Sequence, residues 1–244
     1  RDLLEAFREG RDVYSEFASG IYGRTITKAD EKERFVGKTA ILGLGYYCGA
    51  EKFKDMLASS ALRINISHSA AVDIVRQYRR QNNNIVKFWD RCAEVIMAMA
   101  RGDCGTVCDT VNLPYWNTQV ILPSGHALEY PQLYHSPGGQ SKFNRDSFVY
   151  QGRHSLSDLY SGKLTENIIQ ALARQVVVEH MTLIAARYKV VLQVHDEIVC
   201  LVDDDEVEEA ETYITQVMST PPSWAQDLPI ACAVSHGKTY GEAK

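Results

Sequence analysis

The chain has 244 residues, 45% of them hydrophobic, six cysteines and a formal net charge of −5. Such a chain can bury a substantial core as one or two domains. No signal peptide is visible and no apolar run is expected to reach the roughly 20 residues that cross a bilayer, so a soluble, cytoplasmic protein is expected.

Taken in order, residues 1 to about 120 read as mostly helical. Apolar residues recur near helical spacing over Asp2–Ala18, Lys28–Tyr47 and Glu51–Leu62. Asp73–Ala100 carries Ile74, Tyr78, Ile85, Phe88, Trp89, Cys92, Val95, Ile96 and Met99, with an interruption near Asn82–Asn84. Residues 105–155 are rich in Gly, Pro, Asn and Ser and suit short strands and loops. A long helix starts near Lys163, with Thr165 as its expected N-cap. Two β-branched runs follow, Lys189–Val194 and Ile198–Val202, then an acidic helix ending near Pro221–Pro222 and a last strand over Ile230–Val234.

Between the two β-branched runs lie His195, Asp196 and Glu197. This predicts a hairpin turn carrying two carboxylates at the tip of a buried sheet. Buried charge is costly unless compensated, and paired carboxylates suit Mg²⁺, which leaves sites for substrate phosphate. An acidic turn is equally an ordinary solvated loop. Upstream, Arg34, Lys38, Leu42 and Gly45 fall at helical spacing, so two cations share a face. They form either a phosphate grip or a plain basic surface pair. In the helix near Lys163, Asn167, Gln170, Ala171 and Arg174 form a polar stripe, while Ile168, Ile169, Leu172 and Val176 form an apolar one.

Charge is unevenly placed. Asp203, Asp204, Asp205, Glu206, Glu208, Glu209 and Glu211 put seven acids in nine residues, and the remainder is mildly basic. Arg63, Arg76, Arg79, Arg80, Lys87 and Arg91 cluster mid-chain, as a solvated face or as contacts to a nucleic-acid backbone. Cys104-x3-Cys108 has no Cys or His pair at finger spacing after it, so free thiols are expected.

The string Val194-His195-Asp196-Glu197 resembles motif C of family A (DNA polymerase I-like) DNA polymerases. The stretch Arg34 to Tyr46 resembles their motif B, and Tyr160 to Arg174 resembles the helix before motif C in phage-type members. The resemblance covers essentially the whole chain and implies an α+β fold: right-hand polymerase fingers, mostly helical, at 1–150, and part of the palm, an antiparallel sheet with helices, at 151–244.

It also implies roles. Asp196 and Glu197 would be catalytic carboxylates holding Mg²⁺. Arg34 and Lys38 would bind the triphosphate, with Lys38 protonating the pyrophosphate leaving group. Leu42, Tyr46 and Tyr14 would line the nucleotide. His195 would lie near the primer terminus, and Asn167, Gln170, Arg174 and Gly43 would touch DNA. Primer-template DNA and dNTPs are the implied partners.

Some positions depart from the family pattern. Leu42 stands where many members carry Phe or Tyr, Tyr47 where Gly is usual, Tyr14 where many carry His, and Gln175 where an acid is common. Motif A, with the other catalytic aspartate, is not in the chain. The resemblance therefore implies a separate or missing N-terminal portion carrying motif A and the thumb, and little activity from this chain alone in a bacterial or phage-infected cell. Two rival classes are a phosphate-ester hydrolase, for which no second carboxylate cluster is visible, and a non-catalytic DNA-binding or assembly module.

Overall fold

The computed structural model describes residues 3–138 and 147–243. In place of one helix over residues 2–18 there are two, α1 (Leu3–Arg8) and α2 (Val13–Tyr22). Gly10, with φ of 65°, ends the first, and Asp12 caps the second by accepting from the backbone N–H groups of Tyr14 and Ser15. Then come α3 (Glu31–Leu44), α4 (Ala50–Ala58), α5 (His68–Gln81) and α6 (Asn83–Arg101). The break between α5 and α6 falls at Asn82, as the asparagine run predicts.

These helices pack because their apolar residues follow the 3.6 period. Ala71, Ile74, Val75 and Tyr78 form one buried stripe, and Trp89, Cys92, Val95, Ile96 and Met99 form another. Phe17, Val36, Ala40, Leu44, Phe53, Leu57, Tyr78 and Trp89 close a helical core. Each large side chain there contributes about 1.5–3 kcal/mol of burial. Gly37 allows α2 and α3 to approach closely, since a Cβ at that position would run into the Tyr14 carbonyl oxygen and Ala18.

Two small antiparallel sheets follow. β1 (Gly105–Thr106), β2 (Pro114–Trp116), β3 (Gln119–Ile121) and β4 (Ala127–Glu129) form a meander. β5 (Tyr134–Ser136), β6 (Ser147–Gln151) and β7 (Leu156–Leu159) form the second sheet. The expected division at residue 150 cuts through β6. It also cuts through a second core that unites Val95, Met99, Val120, Leu159, Leu164 and Ile168.

The long helix α7 (Ser161–Ala185) packs on α6 and on the final unit of β8 (Lys189–Val194), β9 (Glu197–Leu201) and α8 (Val207–Met218). Five expectations change here. Helix α7 starts at Ser161, so Thr165 is no cap. It is buried within the helix and donates to Cys92 Sγ at 3.4 Å. Ile169 is exposed, because the buried stripe runs through Leu164, Thr165, Ile168 and Gln175.

The hairpin is not part of a buried sheet. β8 and β9 pair only with each other among the described residues. One face, with Val190, Ile198 and Cys200, lies on Ile184, Tyr188 and α8, while Val191, Leu192 and Leu201 are exposed. Residues 230–234 form no strand, since no ladder bonds hold them. Finally, α7 is long and apolar enough, by length and composition, to cross a membrane, contrary to the expectation that no apolar run would be. Here it serves as the shared wall of two cores.

Candidate active site

The site is built from α3, the β8–β9 tip and the helix between them. On α3, Arg34, Lys38 and Leu42 repeat every fourth residue and form one open stripe about 12 Å long. Lys38 is exposed and makes no ion pair among the described residues. Arg34 is held from α2: its Nε donates to Asp12 Oδ2 at 2.7 Å and its Nη2 to Oδ1 at 3.3 Å. Its guanidinium also sits 5.4 Å from the Tyr14 ring centroid. Among the described residues only one edge of the fork is used, so Nη1 still has donors to offer. Desolvation pushes the Asp12 carboxyl up, but Arg34 and the Ser15 hydroxyl and N–H outweigh it and hold the group at about 2.

Beyond α3 the chain turns through Tyr46 and Tyr47. Tyr47 has φ of 66°, the left-handed region that favours glycine. This gives the departure from the family's usual Gly a backbone cost. Contacts offset it: the Tyr47 ring meets Trp89 edge-on at 5.2 Å, and Arg79 lies 5.6 Å and 5.7 Å from the two rings. Trp89 Nε1 donates to the Gly45 carbonyl at 3.0 Å. Burial, and secondarily Glu166, raises the Tyr46 phenol. Gly43 faces Met56 of α4, which explains its small size by packing.

At the other end, Val194 pairs with Glu197 across a two-residue turn of His195 and Asp196. His195 has φ of 52°. Asp196 is exposed and has no hydrogen-bond or ion-pair partner among the described residues. The expected need to compensate a buried charge therefore does not arise at this tip. Glu197 accepts from the Tyr240 hydroxyl at 2.7 Å. No group of three or more His, Cys, Asp or Glu side chains that could hold a metal occurs among the described residues.

α7 joins the two ends. Gly162 lies so near the turn after α3 that a Cβ would stand 2.5 Å from Tyr47 Cβ and 2.6 Å from the Tyr46 carbonyl oxygen. Arg174, about 18 Å further along the helix, donates to Gln193 Oε1 on β8, and Gln193 Nε2 donates to the His195 carbonyl. Of the expected DNA-facing residues, Arg174 and Gln170 are exposed, with Gln170 donating to Glu166 at 3.2 Å. Asn167 is turned partly inward and donates to the buried Tyr130 hydroxyl at 3.0 Å. Lys38 and Asp196 share no contact. Within the mid-chain basic cluster, Arg79 is stacked and Arg91 donates to the Thr106 carbonyl and Glu94, so neither is simply a solvated charge.

Sequence reasoning missed Asp12, Gln193 and Tyr240 as members of this arrangement. The Asp-x-Tyr spacing before α2 was a usable signal for Asp12, whereas the reach of Tyr240 across the chain had none.

No protein-family model matches the chain. Its fold is similar, with a TM-score of 0.68 at 20% identity, to the POL domain of Pol1 from M. smegmatis in complex with DNA primer-template and dNTP, across 99% of this chain and 36% of that one. In sequence it is 32% identical over 243 residues to the DNA polymerase of Bacillus phage SP02, across 93% of this chain. It is 24% identical over 234 residues to DNA polymerase I of Chloroflexus aurantiacus, across 96% of this chain. Fold and relatives together make the chain family A polymerase-like, as its motifs imply. It spans 36% of the length of the phage SP02 protein and 21% of that of the Chloroflexus polymerase.

Proposed function

We propose that the chain supplies the fingers and the motif C hairpin of a template-directed DNA polymerase, which transfers a nucleotidyl group from a dNTP to a primer 3′-OH. The observation that carries this reading is the path of α7. It ties the aromatic end of the basic helix α3 to the carboxylate hairpin, in a chain 32% identical to a DNA polymerase.

Asp196 and Glu197 would hold Mg²⁺. Their hard oxygen donors fit a cation that takes one or two carboxylates and keeps several waters. When bound, Mg²⁺ supplies charge neutralisation at the transferring phosphoryl group. Arg34 would turn its unused edge to phosphate oxygens while Asp12 keeps the other edge. Lys38 would meet the same phosphates as a point charge and protonate the leaving pyrophosphate. Tyr14 would donate its hydroxyl, though a phenol brings no positive charge. Leu42 would lie along the sugar and Tyr46 beside the templating base. His195, Gln170, Arg174 and the free groups of Asn167 would face the primer-template, reading minor-groove acceptors that are similar for all base pairs.

Two carboxylates at one turn hold a single cation weakly, so a polypeptide portion carrying motif A and the thumb would complete the pair. Mixing this chain with the corresponding portion of a phage-type polymerase tests the proposal. Primer extension that appears only in the mixture supports it. Appreciable extension by the 244-residue chain alone, or none in a mixture that forms a complex, counts against it. A second reading, a non-catalytic DNA-binding or assembly module, is favoured by the solvent-exposed Asp196 and by the lack of a third acidic group beside it among the described residues. Duplex binding without complementation would select it.

A further inference from the structure

We infer that residues 235–243 are a built part of the carboxylate site, with Tyr240 as the residue that positions Glu197. The inference rests on the reading in which Asp196 and Glu197 hold a divalent cation, and it gives the acidic run at 203–211 a purpose that the polymerase reading leaves open.

The tail is anchored on that run. Lys238 Nζ lies 2.5 Å and 2.6 Å from the two carboxylate oxygens of Asp204. His236 Nδ1 lies 2.7 Å from Glu211 Oε1. Between and beyond these anchors the segment folds on itself. The backbone N–H groups of Lys238 and Thr239 both donate to Glu242 Oε2, at 2.9 Å and 3.2 Å. The Thr239 carbonyl accepts from the N–H groups of Glu242 and Ala243, and the Ser235 hydroxyl donates to the Ala243 carbonyl.

A tail held in this way brings the Tyr240 hydroxyl to the hairpin, where it donates to Glu197 Oε2 at 2.7 Å. Glu197 Oε1 keeps no partner among the described residues, so the carboxylate is fixed by one oxygen and open at the other. An exposed glutamate otherwise spreads over several rotamers. Hydrogen-bond donors behind a metal-binding carboxylate orient it, and their loss typically costs 10–100-fold in metal affinity.

The test is a titration of Mn²⁺ alone into the 244-residue chain, with free ion read by electron paramagnetic resonance. Tyr240→Phe is expected to weaken Mn²⁺ binding about tenfold and to make no further difference when Glu197→Gln is already present. Lys238→Ala is expected to speed amide exchange across 236–242 and to give part of the same loss. Wild-type affinity in Tyr240→Phe, or an equal loss in the Glu197→Gln background, overturns the proposal. Unchanged exchange in Lys238→Ala overturns the anchoring. Asp196→Asn separates the two levels. If it abolishes binding while Tyr240→Phe does not, only the present inference fails. If it leaves binding unchanged, the cation reading and this inference fail together.

Discussion

The guanidinium of Arg174 on α7 donates to the side-chain oxygen of Gln193 on β8, and the Gln193 amide passes the connection on to the His195 carbonyl. A two-stranded hairpin is marginal by itself in water, so this relay anchors the carboxylate tip to a long helix. Gln193→Ala is expected to cost about 1 kcal/mol of local stability. Amide exchange at residues 194–198 should quicken while the helical core around Trp89 is unaffected. Unchanged exchange at the tip would remove the relay from the account.

His195 and Tyr47 both hold positive φ, at 52° and 66°, but in different surroundings. His195 is exposed at the turn, so His195→Gly should relieve the backbone and raise stability by about 0.5–1 kcal/mol in urea titration. Tyr47→Gly should do the reverse. The backbone gains as much, but the edge contact with Trp89 and the Arg79 stack are lost. Equal signs for the two substitutions would contradict this reading.

The Asp12 carboxyl is held at about 2, below its ordinary 3.8. A depressed carboxylate stabilises the fold fully above its unfolded pKa and loses that contribution as pH falls through the folded value. Asp12→Asn should therefore be less stable than wild type near neutral pH, by about 1 kcal/mol after solvent screening. The gap should close as pH falls from about 4 to 2. Urea titrations at a series of pH values check this, and a gap that widens on acidification is the contrary result.

Gly162 marks where α7 passes the turn after α3. Gly162→Ala places a methyl against the Tyr46 carbonyl and Tyr47 Cβ. Backbone has little room to yield there, so the expected cost is about 1–3 kcal/mol. Calorimetry reads the loss, and near-neutrality would mean that the helix and turn are less tightly joined than described.

The helices were legible in the sequence because each carries a single apolar stripe, and the break at Asn82 because asparagines interrupt it. Asp196 at a hairpin turn was equally readable from the two flanking β-branched runs. What was not legible depended on tertiary neighbours. Helix formers follow Thr165, so it reads as the cap. In fact the helix starts at Ser161, and Gly162 is small because the Tyr46–Tyr47 turn crosses it inside the helix. The runs flanking Asp196 looked like buried strands, yet Leu192 and Leu201 are apolar and exposed, and local pattern cannot tell which face will be covered. Arg34 was readable as a cation on the α3 stripe. Its partner Asp12 caps another helix, α2, which approaches α3 closely at Gly37.

The central claim is that the hairpin carboxylates and the basic stripe of α3 serve one reaction. Primer-extension rates of the complemented enzyme test it most directly, with Asp196→Asn and Lys38→Ala each compared with wild type. The expected result is that both lose at least about a hundredfold in rate, since metal-held charge and phosphate contacts each supply several kcal/mol at the transition state. Extension at the wild-type rate with Asp196→Asn would contradict the claim.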